Sequence, residues 1–553
     1  MMARRFAFSL LCILIGYSIF GVFAFSLRFR LDFPVEAYWL SFVFVSIPLL
    51  FEVVFWKSSP KLRLLYLLAF SLMIHLQYVA VDGSSFLSSE DAVADFRLTE
   101  KIVAESRWTP FESVEWGFGF EYRFYPITNF LYATMSLLTG VPLLIVVKYL
   151  FVIKAFVVTP IVERVFRSFF NQRVAYLAAA LFLASPGAIL FPHKESFAVI
   201  FFFLGIYAAI KTDKTRQYLL IGLISILTLV MTHHFTTYIF LGLLTSLFLA
   251  SHLYGRARVR VSSQFYMLCL VVFVTWVAFV AVTIVALHQR LLLRVFFESL
   301  LPGELTFSEL LPLYSPFEKV VVWLGYGIAL LSAGLGFLGY VRNRKGLSSS
   351  FVSMTLLLIP ILVLASIIRF FPGRGAQSVI ISHRAYEFGY ISVGTLSAFF
   401  FVRAIQSRRK TASKMALISA IMFMIVLGPL AGAMHPRTFA RVSDVVSVKA
   451  MSLNIWMNES KASNEYTVGD KVLYLILAGY GDSFTFRYPE LFRSQDFSLP
   501  SNMRDKASFV ATYIYMTDFY GPNAAKFYDS PFFHNLYANG ILNVFRIANR
   551  TSS

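Results

Sequence analysis

Apolar runs of about 17–25 residues, the length that crosses a bilayer as a helix, recur along the first 434 positions. In hydrocarbon every backbone polar group must be satisfied within the segment, so a chain built of such runs folds as a bundle of spanning helices. Composition agrees. The chain is 58% hydrophobic and only 14% charged, against about 25% charged for a soluble globular chain. A soluble enzyme is excluded.

The net charge is +19, and its distribution says more than its size. Basic residues gather in short collars: Arg4 and Arg5; Lys57, Lys61 and Arg63; Arg164, Arg167 and Arg173; Lys211, Lys214 and Arg216; Arg256, Arg258 and Arg260; Arg342, Arg344 and Lys345; Arg403, Arg408, Arg409, Lys410 and Lys414. Short loops rich in Lys and Arg stay in the cytoplasm. The charge is therefore read as topology, and no nucleic-acid partner is expected. With the collars as inside markers, spans fall near 6–26, 37–56, 62–81, 142–162, 174–191, 196–211, 217–232, 235–253, 264–287, 318–340, 351–371, 384–403 and 415–434. This places the N-terminus in the cytoplasm and everything after 434 outside, in a multi-pass protein of the cell membrane. The first run reads as a retained signal-anchor helix, with cleavage after Val22-Phe23-Ala24 as the alternative. Cys12 and Cys269 both lie inside apolar spans, so no disulfide framework is implied.

Residues 82–141 stand apart. They hold Asp82, Glu90, Asp91, Asp95, Glu100, Glu105, Glu112, Glu115 and Glu121, a large share of the acid in a basic chain. Residues 127–140 are apolar enough to suggest a span, but a crossing there would put Arg164–Arg173 outside. They are read instead as an amphipathic helix on the outer surface, with Ile127, Phe130, Leu131, Met135 and Leu138 on one face. Composition shifts again after Met434. Residues 435–553 are expected to form a small extracytoplasmic α/β module, with strands at Lys471–Leu477 and Ile541–Arg546 and a helix or strand around Asp505–Tyr515. The sequons at Asn458 and Asn549 fall on the same outer side.

Four places on the outer side carry candidate chemistry. Ser88 with Asp91 three residues on reads as a helix start. Asp91 and Asp95 then stack one turn apart, where like charges repel, and a cation or a substrate hydroxyl would relieve them. In Pro192-His193-Lys194-Glu195, Glu195 either opens the next helix as an N-terminal acid or, with His193, faces a substrate cavity. His233 and His234 interrupt two spans and suit a helix-end or hydrogen-bonding role, since the ligand set of a zinc site is missing. Arg369, Arg374, His383 and Arg384 make a basic outer loop against the usual charge rule. Their planar forks suit phosphate oxygens; lipid headgroup contact and an Arg384–Glu387 pair are the alternatives.

Together these features resemble the C-type (GT-C) membrane glycosyltransferases that use polyprenyl-phosphate sugar donors, above all their archaeal members. The resemblance is carried by Glu90 and Asp91, by Tyr125-Pro126 before the amphipathic helix, by Leu138-Thr-Gly-Val141, by Glu163-Arg-Val-Phe-Arg167, by Ala184-Ser-Pro186, by Glu195 and by Tyr537–Phe545. The apolar runs and collars already give an all-α polytopic domain of about 13 transmembrane helices over 1–434, followed by the α/β module over 435–553, and the resemblance makes that domain GT-C-like. The resemblance implies a hexosyltransferase drawing on a polyprenyl (dolichyl) phosphate donor, with inversion at the outer face and a glycan, lipid or protein acceptor. Asp91 would be the general base, with Glu90 and Asp95 next. Glu195, His193, His233, His234, Arg374, His383 and Arg384 would bind substrate. No cofactor is called for by the residues themselves; a divalent cation, Mg or Mn, is the one the resemblance leaves open. No Trp-Trp pair occurs, so transfer of a whole glycan to sequon asparagines is not expected. Other readings are a polymerase or ligase of lipid-linked glycans resting on Arg374, His383 and Arg384, a lipid or solute transporter, and a scaffold displaying the C-terminal module.

Overall fold

The computed structural model describes residues 2–28, 35–56, 58–81, 90–109, 123–185, 194–212, 215–253, 260–282, 316–342, 376–407, 411–431, 453, 456–457, 466–469, 485–487, 491, 507–513, 533–538 and 542–547. In chain order the helices are α1 (Met2–Arg28), α2 (Val35–Phe55), α3 (Pro60–Val81), α4 (Glu90–Glu105), α5 (Ile127–Thr139), α6 (Leu143–Phe169) and α7 (Gln172–Leu183). They continue as α8 (Lys194–Lys211), α9 (Gln217–Val230), α10 (His234–Leu253), α11 (Ser263–Trp276), α12 (Pro316–Arg342), α13 (Ala376–Ser407) and α14 (Thr411–Ala431). Two compact units result. The first comprises Met1–Ala80, Phe124–Thr128 and Tyr149–His435; the second comprises Val81–Arg123, Asn129–Lys148 and Pro436–Ser553.

Among its described residues the first unit is built of helices joined by short turns, with no strand. Seven helices among the described residues are long and apolar enough to cross a membrane, and four shorter apolar helices accompany them. Bulky apolar side chains on their outer surfaces, such as Leu14, Phe25 and Phe279, stay exposed, as lipid-facing positions do. Between helices the contacts use small residues, because apolar surface gains nothing by leaving lipid and close backbone approach must supply the attraction. The seam between α12 and α13 illustrates this. Ser332 Oγ donates to Ser397 Oγ at 2.8 Å, and Ser397 Oγ donates to the Ala329 carbonyl at 3.3 Å. A Cβ on Gly336 would collide with the Leu396 carbonyl oxygen, so only glycine permits this approach.

Two boundaries differ from the sequence reading. The span expected over 174–191 is a helix of 12 residues ending at Leu183, about 18 Å long, just before Pro186-Gly187. The loop expected over Phe371–His383 is helical from Ala376 onward, so His383 and Arg384 lie two turns inside α13. Residues 376–383 contain no Pro or Gly to stop the helix once Gly375 is passed. The span expected over 351–371 lies outside the described residues, as does the long outer loop expected from His288 to about Phe317, except that Pro316 and Phe317 open α12. Past Trp276, α11 widens into a π-helical turn, Val277–Ala281, whose Val280 packs on Phe124 and Tyr125.

The second unit contains α4, most of α5 and a five-stranded mixed sheet. The strands are β1 (Tyr466–Gly469), β2 (Thr485–Arg487), β3 (Ala507–Tyr513), β4 (Phe533–Ala538) and β5 (Leu542–Ile547), in spatial order β2-β1-β3-β5-β4. β1 runs parallel to β2 and β3; β5 runs antiparallel to β3 and β4. Four consecutive β3 residues, Phe509 to Thr512, are buried, which marks a central strand covered on both faces. The region around Asp505–Tyr515 is thus strand, and Ile541–Arg546 coincides with β5. Lys471–Leu477 lies outside the described residues.

In α5 the apolar and polar sides are reversed relative to a soluble helix. Thr128, Asn129, Tyr132 and Ala133 are buried, while Leu131, Leu137 and Leu138 are exposed, Leu138 at 79%. An interfacial helix that offers its leucines to lipid has this pattern. Gly140 ends it at φ +69°, with its N–H on the Ser136 carbonyl at 2.9 Å, the left-handed cap that glycine adopts without steric cost.

Candidate functional site

Glu90 and Asp91 form the first two positions of α4, close to the start predicted from Ser88. Their side chains lie outside the described residues, as do His193, Arg374 and the side chains of His383 and Arg384. What the second unit does describe is the seat beneath Asp91. Asp95, one turn later, is fully buried. Asn129 of α5 reaches across to it: its Nδ2 donates to the Asp95 carbonyl at 2.9 Å and to Thr99 Oγ1 at 3.0 Å, with Asp95 Oδ1 at 3.5 Å. Thr99 Oγ1 in turn donates to the Asp95 carbonyl at 2.6 Å. The buried hydroxyl of Tyr132 belongs to the same cluster. Burial first, and the Asp95 carboxylate second, push its pKa well above the usual tyrosine value, so it remains a neutral hydroxyl. The cluster locks the first turns of α4 onto the polar side of α5. The Asp95 side chain is thus buried in the seam between α4 and α5, while Glu90 and Asp91 stand at the start of α4.

Farther along the same unit, Trp108 Nε1 donates to the Arg123 carbonyl at 2.7 Å, and the Trp108 ring meets Phe130 edge to face, with centroids 6.2 Å apart. The charged surface of α4 is laced by Arg97–Glu100 at 2.9 Å and Lys101–Glu105 at 3.6 Å. Those pairs are partly exposed and contribute little.

In the first unit Lys194 and His234 meet at Tyr125. Lys194 Nζ donates to the Tyr125 carbonyl at 2.7 Å, and the Tyr125 ring lies 5.2 Å from that of His234. The backbone N–H of Ile127, next to Pro126, donates to the Met231 carbonyl at 3.3 Å. His233 caps α10: its Nδ1 accepts from the Thr236 N–H at 3.3 Å and lies 2.8 Å from Thr236 Oγ1. A ring nitrogen that accepts an N–H carries no proton, so the neutral ring holds its proton on Nε2. The helix-end reading of His233 describes this arrangement. Glu195 is 5% exposed, in the first turn of α8, where its charge suits the helix N-terminus.

Sequence reasoning passed over Lys154 and Asn129. Lys154 is 1% exposed in the middle of α6 and donates to Ser196 Oγ. His75, also buried, has Nδ1 on the Ser71 carbonyl at 2.7 Å. A lysine in the middle of an apolar run was itself the signal for Lys154. Among the described residues no group of three or more His, Cys, Asp or Glu side chains is arranged to hold a metal ion.

The archaeal oligosaccharyltransferase AglB from Archaeoglobus fulgidus, solved in complex with an inhibitory peptide and a dolichol-phosphate, is similar in structure. It matches at 13% identity, over 84% of this chain and 72% of that chain, with a TM-score of 0.50. Looser overlaps occur with ArnT from Cupriavidus metallidurans bound to undecaprenyl phosphate (11% identity, 90% and 100% of the two chains, TM-score 0.43). They occur also with the arabinofuranosyltransferase AftD from mycobacteria (11% identity, 89% and 42%, TM-score 0.47). No protein-family model and no curated protein sequence matches the chain. The first likeness fixes the fold: this is a multi-pass membrane protein that shares the polytopic fold of that oligosaccharyltransferase.

Proposed function

We propose that the chain is a membrane glycosyltransferase that moves a hexose from a polyprenyl (dolichyl) phosphate to an acceptor at the outer membrane face. The observation that carries this reading is the fold, shared over 84% of the chain with an enzyme whose structure holds a dolichol-phosphate. The position of Asp91 at the start of α4 supports it.

The reaction follows from the groups available. Asp91 takes the proton of the acceptor hydroxyl or amide as that atom attacks the anomeric carbon of the donor. The bond from that carbon to the phosphate oxygen breaks on the opposite side, its electron pair leaves with the polyprenyl phosphate, and the configuration inverts. Arg374, His383 and Arg384 stabilise the charge that grows on the departing phosphate. Glu90 is the alternative base; Asp95 holds α4 in place. Glu195, His193, His233 and His234 line the donor side. The absence of a Trp-Trp pair favours a single sugar over a whole glycan, delivered to a glycan, lipid or protein acceptor. A divalent cation, Mg or Mn, would assist the leaving phosphate if Asp91 and Glu90 hold one, and no step here depends on it. The N-terminus faces the cytoplasm, and the sheet of the second unit lies outside.

Photo-crosslinking tests the donor class. A polyprenyl-phosphate sugar carrying a photoreactive group labels the purified protein, and excess unlabelled polyprenyl phosphate suppresses the labelling while a nucleotide sugar does not. Competition by the nucleotide sugar alone would refute the proposed donor.

A further inference from the structure

At the opposite end of the membrane helices from α8's first turn, two basic collars meet around one cavity of about 200 Å³. That is smaller than the roughly 300–1,000 Å³ that houses a drug-sized ligand and suits a single headgroup. Its walls come from the α2–α3 turn, the end of α6 and the start of α7, all in the first unit. Four cations line it, Lys61, Arg63, Arg164 and Arg167, against one carboxylate, Glu163.

The site is built rather than incidental. Arg63 is 9% exposed. Its guanidinium stacks on the Trp56 ring, 4.0 Å from the centroid, and its Nη1 donates to the Ser58 carbonyl at 2.5 Å. Arg173 approaches the same ring at 5.6 Å. Trp56 itself sits at φ +49°, a left-handed conformation that a bulky residue rarely adopts and that persists where the surroundings hold it. The nearby acids are already engaged. Glu52 accepts from the N–H and hydroxyl of Ser58, and Glu163 pairs with Arg167 at 3.5 Å. The side chains of Lys61 and Arg164 make no hydrogen bond or ion pair with the described residues. The Tyr176 hydroxyl, on a side chain 2% exposed that lines the cavity, likewise has no hydrogen-bond partner among them. Surplus cations, a planar guanidinium fork and an unused buried hydroxyl together ask for an anion with several acceptor oxygens.

We propose that this cavity binds a phosphate group, presented by an anionic lipid of the leaflet at that end of the bundle. A basic pocket between helices at the membrane surface recognises headgroups in this way. The proposal is independent of the transfer reaction and takes from it only that this end faces the cytoplasm.

The test uses the full chain in detergent. Short-chain phosphatidic acid, inorganic phosphate and uncharged diacylglycerol are each titrated against thermal unfolding, for wild type and for K61Q/R164Q. Phosphatidic acid is expected to raise the wild-type Tm saturably. In the double variant the apparent Kd is expected to be about tenfold weaker or more. If inorganic phosphate reproduces the shift, the pocket takes free phosphate as well; if only the lipid does, the membrane is its source. Arg164→Gln alone, an exposed position, replaces the double variant if that protein does not fold. Equal affinity in wild type and variant, no shift with either phosphate compound, or an equal shift with diacylglycerol would overturn the proposal.

Discussion

Asp91→Asn lowers sugar transfer by about 10²–10⁴-fold, the range lost with a positioned general base, while abundance and unfolding temperature stay near wild type. Asparagine keeps the size of the side chain and its capacity to accept a hydrogen bond, but it cannot take the acceptor proton. Because Asp91 opens α4, its loss removes only a modest helix-dipole contribution, about 0.3–1 kcal/mol, from the fold. Initial rates at saturating donor, measured on protein of matched amount, check this. Glu90→Gln is expected to have the smaller effect. A larger loss with Glu90→Gln would transfer the role of base to Glu90.

Asn129→Leu separates support from chemistry. Asn129 is 1% exposed and its amide bridges the Asp95 carbonyl and Thr99 Oγ1. Leucine removes both bonds and leaves buried Thr99 Oγ1 without its amide donor, although Thr99 Oγ1 still donates to the Asp95 carbonyl, at a cost of about 1–3 kcal/mol. Asn129→Asp is worse, since it sets a second carboxylate against buried Asp95. Hydrogen exchange over α4 should therefore accelerate in both variants. If Asp95 positions Asp91, kcat falls about 10²-fold, the penalty of a displacement near 1 Å, with little change in KM for the donor. Faster exchange with unchanged kcat would make the cluster purely structural.

The helices were legible in the sequence because span length and apolar character are local properties, and α1, α2, α3 and α6 lie close to where the apolar runs place them. The reading of 127–140 as a surface helix came from periodicity together with the basic collar at Arg164–Arg173, which excludes a crossing there. Misplaced boundaries had local causes too: Pro186 lies just past the end of α7, and no Pro or Gly interrupts α13 between Ala376 and His383. What the sequence did not disclose were partners far apart in the chain. Asn129 looks unremarkable in its helix until Asp95, 34 positions earlier, is beside it. The collars at Lys61–Arg63 and Arg164–Arg173 were legible as topology, but their convergence on Trp56 depends on how α3, α6 and α7 pack. Lys154 was legible in principle, as a charge deep in an apolar run, and periodicity arguments pass over such single residues.

The most direct measurement is sugar transfer by the purified protein in liposomes, using a panel of radiolabelled polyprenyl-phosphate sugars and membrane acceptors whose presence is verified. The expected result is label moving from a polyprenyl-phosphate hexose into an acceptor, with inverted anomeric configuration and one polyprenyl phosphate released per sugar. No transfer from any polyprenyl-phosphate sugar, or transfer with retained configuration, would contradict the proposed reaction.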